Sequence, residues 1–245
     1  MKINVLFSNL HLDDLYFTGK TAVVIDVLRA TTVIAAALNN GAKEIIPVST
    51  VDFAMKVSGN AFRSQTLLCG ERNTKKVEGF TLGNSPMEYT PEVVSGKSII
   101  LYTTNGSKSF VKAKFCENLY AACFNNLTAI VKHLVALDKD FDIVCAGTNG
   151  GFNLEDAICA GNIISEIHTL REDLFLSDSA SASVTLYKFS GKNIFKMLGK
   201  TEHGKLLIEN GFADDIEECA KVGTMDVVPS FMGGVIKKYE PNNEN

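Results

Sequence analysis

Short, almost unbroken apolar runs recur through the first two-thirds of the chain, at residues 21–25, 45–48, 66–69, 98–102 and 141–146. Their shortness, their Val and Ile content and their lack of polar alternation predict strands buried on both faces. Between them, apolar positions return at helical spacing over residues 31–40, 51–61, 127–137 and 154–170. Gly41 is suited to end the first of these helices and Thr50 to cap the second. Strand and helix alternate, so the expected fold is α/β, a mainly parallel sheet covered by helices on both faces. From Ser177 onward the pattern thins to short helical pieces at 203–210 and 213–221 and a last apolar Val227-Val228-Pro229. No linker composition interrupts the chain, which therefore reads as one domain over 1–245.

One internal similarity modifies that picture. IILYTTNGS and IVCAGTNGG each join a strand to Thr-Asn-Gly, with Thr104 and Thr148 separated by 44 residues. Two copies point to a duplicated β-α unit, and hence to two similar subdomains divided near residue 125, roughly 1–125 and 126–245. Asn-Gly between apolar runs is also a hairpin signal. The helical pattern of 107–114 argues against that reading.

Composition narrows the functional classes. The 245 residues are 46% hydrophobic and 21% charged, with a net charge of −4 and a pI near 5.6. Such a chain has neither the bias of a disordered protein nor the basic stripe of a nucleic-acid binder. Its longest apolar windows fall short of a membrane span, and its first residues develop no export signal, so a cytoplasmic protein is expected. The six cysteines form no C-x-x-C pair and are expected as free, apolar core residues. A homodimer is the expected assembly, from the prevalence of symmetric dimers.

In open α/β sheets ligands bind beyond the carboxyl ends of the strands. Four runs end in polar clusters: Asp26, Arg29, Thr31 and Thr32; Gly70-Glu71-Arg72; Thr103-Thr104-Asn105-Gly106; and Gly147-Thr148-Asn149-Gly150. If the strands are parallel, these clusters meet at one edge and offer carboxylates, guanidinium groups and N–H donors to an oxyanion beside a divalent cation. Each has a plainer account. Asp26 and Arg29 could simply pair, Thr31 and Thr32 could cap a helix, and Glu155 and Asp156 could complement a helix dipole. Lys75 and Lys76 read as a solvated loop. His203 opens a helix beside Gly204 and is a further candidate.

Several phosphate chemistries fail on spacing. Asp14 and Ile194 stand where a P-loop ahead of Gly19-Lys20-Thr21 or Gly199-Lys200-Thr201 requires glycine. Leu28 occupies the second aspartate position of a D-x-D motif begun at Asp26, and Gly151 the arginine position of C-x5-R begun at Cys145. Metal-assisted hydrolysis by another constellation remains, as does anion binding without chemistry.

With these clusters assembled, the chain resembles the 2-phosphosulfolactate phosphatase family. The resemblance rests on VIDVLRATTVI at 24–34, GAKEIIPV at 41–48, GERN and GFTLGNSPMEYT within 70–90, TTNGS at 103–107, and CAGTNGGFNLEDAICAG at 145–161. Asp178-Ser179-Ala180, His203-Gly204 and Asp226-Val227-Val228-Pro229 extend it over nearly the whole chain. It implies a three-layer αβα fold with internal duplication and Mg2+-dependent hydrolysis of 2-phospho-3-sulfolactate, a step of coenzyme M biosynthesis in archaea. On that reading Asp26, Arg29, Glu71 and Arg72 are catalytic. Thr31, Thr32, Asn84, Thr104, Asn105, Gly106, Thr148 and His203 bind the small anionic substrate, and Mg2+ draws on Asp26, Glu71, Glu155 and Asp156. Asp26 is either the general base or the nucleophile. The alternatives are a phosphatase of another small acid phosphate and a non-catalytic anion-binding protein. Thr74, Thr81 and Gly223 depart from the family pattern, which bears on substrate preference.

Overall fold

A computed structural model describes residues 1–9, 12–60 and 65–241. Its strands are β1 (Lys2–Leu6), β2 (Thr21–Ile25), β3 (Glu44–Val48), β4 (Thr66–Arg72), β5 (Lys75–Lys76), β6 (Ser98–Tyr102), β7 (Asn118–Ala122), β8 (Phe141–Cys145), β9 (Phe175–Leu176), β10 (Pro229–Met232) and β11 (Val235–Lys238). Its helices are α1 (Ala30–Asn39), α2 (Val51–Asn60), α3 (Pro91–Val94), α4 (Gly106–Lys112), α5 (Leu127–Leu137), α6 (Leu154–Leu170), α7 (Asp178–Ser190), α8 (Ile194–Leu198), α9 (Glu202–Glu209) and α10 (Ala213–Cys219). The last residue of the second expected helix, Ala61, lies outside the described residues.

The strands form one mixed sheet in the order β5-β4-β6-β3-β11-β10-β7-β2-β8-β1-β9. Pairing is parallel among β4, β6 and β3, and again among β7, β2, β8, β1 and β9. The hairpin β10–β11 joins these halves through antiparallel ladders to β7 and β3. Followed through those three antiparallel ladders, the two halves run in opposite senses. The sheet is thus mainly parallel, as expected, with an antiparallel hairpin in its middle that the sequence pattern of 227–229 does not announce.

Alternation along the strands explains the layers. Ala22 and Val24 of β2 join a core built with α1 and α4, whereas Val23 and Ile25 join a second core with α5, α6 and α7. In the other half, Ile99 and Leu101 of β6 face the first core, and Ile100 and Tyr102 face α2 and Phe80. Helices α1 and α4 thus lie against both halves: α1 packs on β7, β10 and β11, and α4 on β2, β3 and β6. A sheet with ordinary right-handed twist, about 20–25° per strand, wraps around such a pair rather than lying flat.

Local signals hold where the sequence placed them. Thr50 Oγ1 accepts from Phe53 N at 3.1 Å, capping α2, and Gly41 takes φ +88° just beyond α1. Helix α4 follows Asn105, so the first Thr-Asn-Gly is a strand-to-helix turn and not a hairpin. All six cysteines are free, and five are buried. No helix among the described residues is long and apolar enough to cross a membrane.

Candidate active site

Strand β2 delivers Asp26 at its carboxyl end, fully withdrawn into the protein apart from 7% of its surface. The turn that follows is tied by its own threonines. Thr31 Oγ1 accepts from Asp26 N at 3.0 Å and donates to Asp26 O at 2.9 Å, and Thr32 Oγ1 donates to Val27 O at 2.9 Å. Both are fully buried in the first turn of α1, so they shape the loop that presents Asp26 and do not line the cavity beside it. Ala30 N donates to Asp26 Oδ1 at 3.2 Å. Gly106 closes on the other side, where a Cβ would stand 2.6 Å from Asp26 Oδ2 and 2.5 Å from Ala30 Cβ. Only glycine permits that approach.

The other strand ends are stitched to this one. Gly70 lets β4 pass Tyr102, whose carbonyl oxygen would lie 1.8 Å from an added Cβ. Glu71 then accepts from Thr104 N at Oε1 (2.7 Å) and from Thr74 N at Oε2 (2.9 Å). Asp156 accepts from Val27 N at 3.0 Å and from Gly147 N at 3.1 Å, clamping the loop after β2 to the loop after β8. The two Thr-Asn-Gly turns also meet, because Asn149 N donates to Asn105 Oδ1 at 3.0 Å, and Asn153 Nδ2 donates to Thr148 Oγ1 at 3.0 Å. They come from opposite halves of the sheet, and their likeness is established for the turn alone.

Burial of carboxylates dominates the electrostatics, and their crowding adds to it. Burial, reinforced by Glu71 and Glu155, raises Asp26 to about 7. Asp156 lies well above the ordinary range through burial and then Asp26 and Glu155, and burial likewise raises Glu155. Glu155 and Asp156 are 2% and 1% exposed, so complementing a helix dipole from the surface does not account for them. His203 is pushed down by burial and by the nearby Arg29, which favours neutral imidazole.

The arginines divide. Arg29 does not pair with Asp26; its Nη1 donates to Asp215 Oδ2 at 2.5 Å and its Nη2 to Thr74 O at 2.8 Å, with its guanidinium 4.2 Å from the Phe212 ring centroid. It still lines the cavity. Arg72 is exposed on the β4–β5 ladder and lies outside the cavity lining.

Asp26, Arg29, Glu71, Asn84, Thr104 and His203 surround a cavity of about 140 Å³, with Asn105 and Thr148 also on its wall. Asn73, Thr74 and Asn149 also line it, none of them having been assigned a role from the sequence, and Asp215 stands behind Arg29. A larger cleft of about 860 Å³ lies at the opposite strand ends, where Lys20 and Lys139 are already paired with Asp142 and Glu117. The chemistry gathers in the smaller cavity.

Among the described residues, no three His, Cys, Asp or Glu side chains form a ready metal cluster. That set still suits Mg2+, which takes one or two carboxylates and completes its shell with water and phosphate. The donors are hard oxygens, and Glu155 Oε1 is buried without a hydrogen-bond partner.

An α/β fold with an acidic cavity at the strand ends is a usual setting for a ligand site, and the family and relatives of this chain make its class that of a phosphoric monoester hydrolase. The chain belongs to the 2-phosphosulpholactate phosphatase family, whose model matches residues 9–234. It is 43% identical over 218 residues to a probable 2-phosphosulfolactate phosphatase of Caldanaerobacter subterraneus, covering 89% of this chain and 90% of that one. Similar proteins of the same description occur in Clostridium novyi (40% identical; 94% and 97% covered) and Thermotoga maritima (43%; 88% and 91%).

Proposed function

We propose that this protein hydrolyses 2-phospho-3-sulfolactate to 3-sulfolactate and inorganic phosphate in a Mg2+-dependent reaction. One observation carries the reading: in a cavity of about 140 Å³, crowded carboxylates adjoin three buried oxygens, Thr74 Oγ1, Asn84 Oδ1 and Thr104 Oγ1, that have no protein partner. Buried polar atoms are nearly always satisfied, so three orphans on residues that line one space favour a ligand rich in polar groups.

Mg2+ would be held by one or both of Asp26 and Glu71, the two carboxylates on the cavity wall, where it would offset their mutual repulsion and polarise the phosphoryl group. Asp26 acts as general base, taking a proton from the water whose oxygen bonds to phosphorus as the ester P–O bond breaks. The backbone N–H of Ala30 orients its carboxylate for that transfer. Neutral His203, on the cavity wall, gives a hydrogen bond to the departing ester oxygen, which takes a proton from solvent while Asp26 releases to solvent the one it gained. Arg29, neutralised by Asp215, contributes position through Thr74 O, and a net positive charge at the phosphate comes from elsewhere.

The test is phosphate release from 2-phospho-3-sulfolactate by purified protein, with Mg2+ and with excess EDTA, alongside phosphoglycolate and phospholactate. Selective, EDTA-sensitive release is expected. Equal turnover of all three esters would move the reading to a general small-acid phosphatase. Saturable binding without release would move it to an anion-binding protein. Trapping a phosphoryl group on Asp26 by rapid quench would replace the base with a nucleophile.

A further inference from the structure

The ladder between β4 and β5 pairs Arg72 with Lys75, which leaves Asn73 and Thr74 as a two-residue hairpin turn. Both take positive φ, +53° and +68°. A turn with two left-handed residues is the type I′ geometry, normally filled by Asn-Gly. Asn73 fits that rule and Thr74 breaks it, because a branched Cβ crowds the backbone in the left-handed region. Nothing in the hairpin itself rewards the substitution.

Thr74 is nevertheless fixed on every side but one. Its N–H donates to Glu71 Oε2 at 2.9 Å, and its carbonyl accepts from Arg29 Nη2 at 2.8 Å. The residue is 5% exposed and lines the cavity that holds Asp26, and its hydroxyl is buried without a protein partner. A buried hydroxyl without a partner and a residue in a disfavoured conformation are each uncommon. Both costs fall on the same residue, and use of the hydroxyl by a ligand would remove the second and offset the first.

We infer that Thr74 is a substrate-binding residue whose hydroxyl donates a hydrogen bond to an anionic oxygen of the bound phosphate ester. This rests on the proposed phosphatase reading of the cavity. The hydroxyl acts on affinity and takes no part in bond breaking, so it sets KM more than kcat.

Three variants test it by steady-state kinetics on 2-phospho-3-sulfolactate and by thermal melting. Thr74→Gly supplies the residue the turn prefers, so its melting temperature should rise while KM rises by about fivefold to tenfold, the loss of one hydrogen bond. Thr74→Val keeps the branched shape without the hydroxyl and should show the same KM rise without the gain in melting temperature. Thr74→Ser should stay within about twofold of wild type in KM, and kcat should change by less than about threefold in all three. An unchanged KM in both Thr74→Gly and Thr74→Val, or a Thr74→Ser enzyme as impaired as Thr74→Val, overturns the inference while leaving the phosphatase reading intact. If wild type releases no phosphate from any ester, that reading fails by itself. The inference is then decided by calorimetric binding of inorganic phosphate, expected to be weaker in Thr74→Val than in wild type and overturned by equal affinities.

Discussion

Arg29 Nη1 lies 2.5 Å from Asp215 Oδ2, and the two side chains are only 2% and 3% exposed. The pair joins the loop after β2 to α10, 186 positions apart, and Ser85 Oγ donates to the second oxygen of the same carboxylate at 2.6 Å. A buried ion pair of this kind gives little net stability when intact, but removing one partner strands a charge.

Asp215→Ala should therefore destabilise the protein by about 3–5 kcal/mol. Urea unfolding of both proteins measures the difference. A loss below about 1 kcal/mol would mean that water reaches Arg29 and that the pair is not closed.

Asp26→Asn should abolish phosphate release while making the metal-free protein more stable, because it removes the charge of a buried carboxylate that Glu71 and Glu155 also crowd. Asp26 is raised to about 7 from an ordinary 3.8, so its charge costs stability increasingly as pH rises across that interval. The gain should be present at pH 8 and vanish near pH 4. Each kcal/mol moves the melting temperature of a chain this long by about 2–4 °C. A variant that melts lower than wild type at pH 8 would contradict the crowding.

Gly106→Ala tests how closely the two halves of the site approach. The new methyl would stand 2.6 Å from Asp26 Oδ2, so the carboxylate or α4 must shift. A displacement of about 1 Å costs on the order of a hundredfold in rate. Near-normal kcat in a folded Gly106→Ala protein would remove Asp26 Oδ2 from the chemistry.

His133 provides a pH dependence away from the site. Its ring stands edge-on between Tyr120 and Tyr239, with centroids 4.6 and 4.5 Å away, and its Nε2 is buried without a partner. Burial lowers its pKa below 6.5, so the unfolded chain binds the proton more readily. Stability is therefore complete above pH 6.5 and declines as pH falls below it. His203 is shifted the same way and keeps its share in any His133 variant. His133→Phe should be more stable by about 1 kcal/mol and lose less stability between pH 7 and 5. Parallel stability–pH curves for the two proteins would exclude His133 as a source.

The elements legible in the sequence are those buried on both faces or strongly periodic. β2, β6, α5 and α6 match their expected bounds because TAVVI, SIILY and the two helical repeats admit no competing pattern. β1 was missed because Lys2 and Asn4 interrupt it, β7 because NLYAA is poor in branched residues, and β10–β11 because its register depends on partners far away in the chain. In the site, Asp26, Glu71 and the Thr-Asn-Gly turns could be found from strand ends alone. The function of Thr31 and Thr32 as internal ties, the exposure of Arg72, and the arrival of Asp215 and Thr74 depend on loop geometry that no periodicity records.

The β10–β11 hairpin has a consequence for biosynthesis. β3 and β7 share no ladder, so among the described residues the two parallel halves are joined as one sheet through the ladders of residues 229–238 alone. Sheet residues on either side of the gap leave the ribosome more than a hundred residues before the strands that unite them. Throughout that interval β3 and β7 lack the strands they pair with in the finished fold, so exposure of these edges to other chains is a hazard of the nascent protein more than of the finished one.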